Sequence, residues 1–259
     1  MRQWNTLFQK EVLEKARNFK WIWVPATFIL LGVMDPLSTY YMPQIIDSLG
    51  GLPEGTVIDI PKPSAAEVML MSMEQFNTLG ILIVVLTSAG IIAGERKSGV
   101  AELILVKPVS YASYITAKWA ASLVLLLLSL LLSSLSSWYY TGVLFENIPA
   151  ENFFSSLAVI AVWFCFILKI TVFFSGLFKQ PGAAGVTSIA TIVILTIISG
   201  SLPHLMEWSP GLLNNYAGKL LVSGELPDHT LASAMAVTGG TVLLLGLCAA
   251  VLRKKELAG

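Results

Sequence analysis

The sequence predicts an all-α integral membrane protein: six transmembrane helices, an N-terminal interfacial amphipathic helix, and both termini in the cytoplasm. Of 259 residues, 55% are hydrophobic and only 12% charged, too apolar for a soluble domain of this length. Uncharged windows at about 75–94, 119–145, 180–203 and 230–252 each reach the roughly 20 residues a helix needs to cross the hydrocarbon core. Two more windows, about 20–42 and 153–178, are interrupted by Asp35 and Lys169. A β-barrel needs roughly ten-residue segments of alternating polarity, whereas LVLLLLSLLLSSL is apolar on every side. The whole chain, 1–259, reads as one transmembrane domain.

Residues 1–19 place Trp4, Leu7, Phe8, Val12, Ala16 and Phe19 near one helical face, with Lys10, Glu14, Arg17 and Asn18 largely away from it. That is the pattern of a helix in the membrane interface, or one leaning on the bundle from the lipid surface. The charged stretch is about 20 residues long and no small-residue cleavage site follows, so the first span is expected to stay in the mature chain.

Lys and Arg near span ends are retained on the cytoplasmic side. With the N-terminus inside, that side receives Arg2, Lys10, Lys15, Arg17 and Lys20, then Arg96, Lys97, Lys107 and Lys118, then Lys179, and finally Arg253, Lys254 and Lys255. The outer side receives Lys62 and Lys219 alone, and Lys169 completes the 16 bases. The zero net charge hides this asymmetry, because most acids fall outside.

The outer loops, 43–75 and 203–230, do not resemble folded domains. Gly50, Gly51, Pro53, Pro61 and Pro63 break up the first, and Ser64 and Glu67 have capping-box spacing, predicting a helix from near Ala65 into the second span. The second mixes short apolar stretches with Pro203, Pro210, Gly211 and Pro227, which suits a re-entrant element. Within it Trp208 and Pro210 are candidates for an outer gate.

No Walker motif or HExxH is present, so neither a catalytic site nor a metal site is expected, and ATP and Mg are not expected to bind this chain. His204 and His229 share an outer loop without a Cys or close acid at ligand spacing, and the SGS at 199–201 beside His204 lacks the turn of a serine nucleophile. Cys165 and Cys248 lie within spans and read as small hydrophobes. No nucleic-acid partner is expected.

Lys169 lies nine residues before Phe178, about 14 Å of helix, and is expected to snorkel toward the cytoplasm. Asp35, before Pro36, sits at the outer interface or faces a polar cavity. Ser122, Ser129, Ser133 and Ser136 form a small-residue stripe on span 3, with Asn77, Val84 and Ser88 on span 2 and Gly185, Ser188, Thr191 and Thr196 on span 5. Close helix packing is the default explanation. Asn77, Ser88, Ser188 and Thr191 are the candidates for a path lining, because spans 2 and 5 adjoin structured loops.

Residues 94–113, between spans 2 and 3, are unlike their greasy neighbours: GERKSGVAELILVKPVSYAS carries acids, bases, a glycine and a proline at definite spacings. Here the chain resembles the membrane subunits of ABC-2 type transporters, whose permeases carry E-[RK]-x-x-G-[TV], a short apolar helix and a proline leading into span 3. Glu95, Arg96, Gly99, Val100, Glu102, Leu103, Leu105, Pro108, Val109, Ser110 and Lys118 stand where that pattern asks, though Val100 holds a position often occupied by Thr.

The resemblance implies a permease of an ATP-binding cassette exporter in the cell membrane. Two separate ATPase subunits would carry ATP and Mg, and the permease would act as a homodimer or beside a homologous permease, in contact with membrane lipid. Glu95, Arg96, Gly99, Glu102, Leu103, Leu105 and Pro108 are then the ATPase-coupling residues, with Glu95, Arg96 and Lys97 available to pair with charges on the partner. The competing class is a membrane scaffold or a secondary transporter working without an ATPase. A bundle with no acidic or basic ring fits amphipathic peptides, lipids, lipid-linked sugars or hydrophobic drugs better than small ions.

Overall fold

The computed structural model describes residues 2–48, 62–105 and 109–256. Within these it is helical throughout, in nine helices: α1 (Arg2–Arg17), α2 (Lys20–Ser48), α3 (Ala65–Lys97), α4 (Val100–Leu105), α5 (Tyr111–Leu144), α6 (Ala150–Leu177), α7 (Pro181–Ser201), α8 (Leu213–Ser223) and α9 (Thr230–Glu256). Six of them, α2, α3, α5, α6, α7 and α9, are long and apolar enough to cross a membrane. They coincide with the six windows read from the sequence. Because the spans alternate in direction, α1, α4 and the α6–α7 connection share one end of the bundle with both termini; α8 lies at the opposite end.

Two helix starts follow the sequence chemistry. Ser64 accepts from the Glu67 amide at 3.3 Å and Glu67 reaches back to the Ser64 amide at 2.7 Å, so the expected capping box forms and α3 begins ten residues before its apolar window. Ser110 likewise accepts from the Ser113 amide at 3.1 Å and starts α5. The expected loop at 43–75 is therefore largely helix at both margins, since α2 continues to Ser48 through Pro36 and Pro43. Residues 49–61, including Gly50, Gly51, Pro53 and Pro61, lie outside the described residues.

α6 is the central span, with 56% of its apolar window enclosed by protein, and α9 the peripheral one at 18%. Trp163, Phe164 and Ile167 of α6 pack with Phe28 of α2 and Phe76 of α3 in the core. Close approach of α2 to α5 rests on Gly32 and Ser133: a Cβ at Gly32 would stand 2.5 Å from the Ser133 carbonyl oxygen, and the Ser133 hydroxyl donates to the Phe28 carbonyl. Ser122 and Ser129 are buried and return to carbonyls of their own helix, so this stripe serves packing.

α3 is interrupted twice. Phe76–Gly80 forms a π-turn, where Asn77 accepts from the Trp163 indole at 2.9 Å. Near Ala89 the Ser175 hydroxyl of α6 enters the backbone ladder, donating to the Ala89 carbonyl at 2.7 Å and accepting from the Ile92 and Ala93 amides at 3.0 and 3.1 Å.

Both intramembrane charges find neighbours inside the bundle. Lys169 does not snorkel: it is 3% exposed and donates to the Val237 carbonyl at 3.2 Å and to the Thr241 hydroxyl of α9. With the Gln75 amide in the orientation its surroundings require, Gln75 donates to the Asp35 carboxylate. Cys248 is buried and Cys165 half-buried, and both are free thiols.

Candidate functional site

The loop between α3 and α5 is built on the last turns of α3. Glu95 and Arg96 stay on that helix, Ser98 and Gly99 turn the chain, and α4 follows. Gly99 has φ +75°, the left-handed region that a side chain disfavours, so the glycine read from the sequence as a turn-maker is needed for its backbone. Ala101 of α4 is buried and Ile104 packs against the core, whereas Glu102 is exposed and Leu103 is 73% exposed. Pro108 lies outside the described residues, and Leu105 is placed as the last residue of α4.

Glu95 corrects one expectation. Rather than standing free for a partner's charges, it accepts from Lys10 of α1 at 2.6 Å, from Lys118 of α5 at 2.9 Å and from the Tyr114 hydroxyl at 2.5 Å. Lys118, only 2% exposed, also binds Glu11 at 2.7 Å, and Glu11 meets Lys10 at 3.2 Å and Lys15 at 3.6 Å. The Arg96 guanidinium donates to the Gly176 carbonyl at the end of α6, at 2.9 Å. Of the three charges expected to await a partner, Lys97 alone is exposed.

The physical reason is the desolvation that each helix end imposes on the next: a buried ion is tolerated only with counter-charges and hydrogen bonds around it. Burial alone would lower the Lys10 ammonium, but the hydrogen bond to Glu95 and the charges of Glu11, Glu95 and Glu14 override it, raising its pKa. Burial likewise works against the Glu11 carboxylate, yet the charge and hydrogen bond of Lys118, with Lys15 and Lys10, hold its pKa below the ordinary value. Lys15 is pushed down by burial, which Glu11 opposes only in part. Glu11, Glu14 and Glu95 also stand close enough together to suggest a metal site, but the ammonium groups already neutralise them.

α1 docks through this cluster: Glu14, Arg17 and Asn18 are exposed as its helical face predicts, whereas Lys10 turns in to Glu95. Glu11 and Lys15 are its buried residues, Trp4 donates to Thr116 of α5 at 3.1 Å, and Leu13 and Phe19 are exposed instead. Ion pairs across helices were not legible in a helical wheel of α1 alone. The one available signal was Lys118, a base inside the run of α5.

The four path-lining candidates are not brought together. Asn77 borders a groove of about 350 Å³ between α3 and α7, with Leu79 and Leu82 on one wall and Ile189, Val193 and Thr196 on the other. Ser88 borders a separate void of about 20 Å³, and the Ser188 and Thr191 hydroxyls bond to carbonyls of α7 itself, at 2.6 and 2.8 Å.

At the opposite end, Pro210 is buried and opens a 3-10 turn (Pro210–Leu212) that leads into α8, while Trp208 is 55% exposed. Leu213, Tyr216, Ala217, Leu220 and Leu221 of α8 are buried, and Ser156 of α6 donates to the Ala217 carbonyl at 2.7 Å. Ser199 faces Ser209 at 2.6 Å, so its hydroxyl is engaged in packing this segment. Beside it opens a vestibule of about 1080 Å³ bordered by Glu74, His204, Glu207, Lys219, Asp228 and His229.

The family model described as ABC-2 family transporter protein matches residues 6–209. The chain is also 36% identical over 222 residues to the uncharacterized transmembrane protein YxlG of Bacillus subtilis (strain 168), the alignment covering 86% of each chain. Five of the six apolar spans and the α3–α4 turn built on Gly99 lie within residues 6–209, α9 follows beyond them, and the chain belongs to the ABC-2 family of transporter proteins.

Proposed function

We propose that this membrane component of an ABC transporter is an export permease whose coupling element is α4, driven by ATPase subunits beneath the end of the bundle that carries both termini. The observation that carries the reading is the division of labour on this short helix. Ala101 and Ile104 face the bundle, and Leu103 and Glu102 face outward from a turn fixed by Gly99. An exposed leucine on a six-residue helix is what a partner's groove takes up, and the helix is continuous through Gly99 with the part of α3 clamped to α1, α5 and α6.

Both termini are assigned to the cytoplasm by the distribution of lysine and arginine. Two ATPases and a second permease, identical or homologous, complete the transporter, with ATP and Mg held by the ATPases. Closure of the ATPases pushes α4, the end of α3 carries the displacement to α1, α5 and α6, and the groove between α3 and α7 changes its exposure along the copy-to-copy interface. α8 with Trp208 and Pro210 closes the outer end. The weakly polar groove suits an amphipathic or lipid-like substrate.

Leu103→Asp tests the assignment. An unpaired carboxylate entering an apolar groove costs several kcal/mol, whereas on the free permease Leu103 is exposed and the substitution leaves the fold intact. Expression and thermal stability are expected to match wild type, ATPase subunits to be lost on co-purification, and transport to stop. Normal co-purification with full transport would remove α4 as the coupling element.

A further inference from the structure

Between α1, the start of α2 and the last turns of α3 lies a cavity of about 510 Å³, bordered by Lys10, Glu11, Glu14, Lys15, Lys20 and Glu95. Its charges are unequally satisfied. Glu95 and Glu11 are taken by Lys118 and Lys10, and Glu14 by Lys10 at 3.2 Å. Lys15 is 6% exposed, and its nearest carboxylate is Glu11 at 3.6 Å, already held by Lys118 at 2.7 Å. Lys20 donates to the Thr87 carbonyl at 3.1 Å and has no salt-bridged carboxylate among the described residues. Lys20 thus lines the cavity without a carboxylate of its own, Lys15 has only the second oxygen of a Glu11 shared with Lys118 and Lys10, and burial lowers the affinity of Lys15 for its proton. Buried cations are retained where a counter-ion completes them.

The floor of the cavity is cut by Gly90 and Gly94, and a Cβ at Gly94 would meet nothing within 4 Å. Its rim includes Leu86, 68% exposed, and Val100, also exposed. The cavity therefore lies where α2 begins and α3 ends, with exposed apolar surface at Leu86 and Val100 leading into it. The pocket behind it, between α2, α3 and α5, holds only about 20 Å³, too little for an acyl chain, so a lipid would place its headgroup here and leave its tails along Leu86.

We propose that this cavity binds the phosphate of an anionic membrane phospholipid, with Lys15 and Lys20 as its cationic ligands and Gly94 giving the headgroup room. The bound lipid adds the missing negative charge beside the Glu95 cluster and ties α1 and α3 to the leaflet nearest the termini. The inference rests on the membrane embedding of the chain and is independent of the ATPase-coupling assignment.

The test is native mass spectrometry of the purified full chain exposed to equal amounts of phosphatidylglycerol and phosphatidylcholine. Two lysines acting on one phosphate should favour phosphatidylglycerol by roughly thirty-fold. Lys15→Gln with Lys20→Gln should bring the ratio to near parity. Gly94→Leu, whose Cβ would meet nothing within 4 Å and which adds bulk to the cavity without removing a charge, should do the same in a chain that folds normally. Equal binding of the two lipids by wild type, or an unchanged preference in Gly94→Leu, overturns the proposal. Displacement of phosphatidylglycerol by millimolar inorganic phosphate would also overturn it, since the site would then be one for free phosphate.

Discussion

Glu95 serves three helices with one carboxylate. It joins Lys10 of α1 and Lys118 of α5 to the end of α3, at 2.6 and 2.9 Å, and Lys118 is 2% exposed. Glu95→Ala is therefore a stability mutation before it is a coupling mutation. Removing one partner of a buried pair costs about 3 kcal/mol, the low end of the usual range because Glu11 still holds Lys118 at 2.7 Å. The expected result is a lower midpoint in a thermal scan, which Leu103→Asp does not share; equal midpoints for Glu95→Ala and wild type would contradict the cluster. The sign of the pH dependence follows from the same residues. Glu11, with a depressed pKa, contributes stability above the ordinary glutamate pKa of about 4.3 and loses it as pH falls through the lower folded value. Lys10, with a raised pKa, contributes below the ordinary lysine pKa of about 10.4 and loses that only above it. Lys15 has the opposite sign, costing stability while charged and recovering it as pH rises. α1 should thus be held progressively less firmly as pH falls below the ordinary glutamate pKa of about 4.3, and the check is the distance between spin labels at Gln9 on α1 and Ala112 on α5, both exposed. A distance unchanged from neutral pH to pH 3 would contradict it.

Elements are joined here through backbone as much as through side chains. Ser175 of α6 supplies one hydroxyl to the Ala89 carbonyl and the Ile92 and Ala93 amides of α3. Ser175→Ala leaves those groups buried without that partner, a cost of about 1–3 kcal/mol. It should lower stability and free residues 90–97 of α3 from α6, read as faster hydrogen exchange there than in the rest of α3. Ser175→Thr, which keeps the hydroxyl, is expected to fall between the two. Exchange in Ser175→Ala identical to wild type would show that the α3 break is held by other contacts. A sequence carries no mark of this wedge, because Ser175 reads as one small residue in an apolar span.

For the molecule as a whole, single-cysteine labelling measures how the two ends of the bundle lie across the membrane. Lys62 is exposed ahead of α3, and Ser98 is exposed in the turn after it. Lys62 is the better probe on its side, because Ser64 caps α3. Cysteines at Lys62 and Ser98 should react with an impermeant reagent from opposite sides, Lys62 alone in intact cells. Reaction of both in intact cells would contradict the six-span arrangement. The outcome also fixes which leaflet faces the Lys15–Lys20 cavity.

What the sequence determined by itself was local. Apolar windows placed six spans, the Ser64–Glu67 spacing placed the start of α3, and Gly99 placed a turn that only a residue free of Cβ strain makes cheaply. Each depends on residues within a few positions of one another, where helical period, capping and backbone sterics act. The tertiary structure alone decided what the charges do. Glu95 is paired with Lys10 across 85 positions, Lys118 with Glu11 across 107, and Lys169 with the Val237 carbonyl across 68. A residue's charge can be read from its name, but its dielectric surroundings and counter-charges are set by the helices packed beside it. The same sequence that made Glu95 look like a free docking charge therefore folds it into the joint between α1, α3 and α5, and leaves Leu103 exposed.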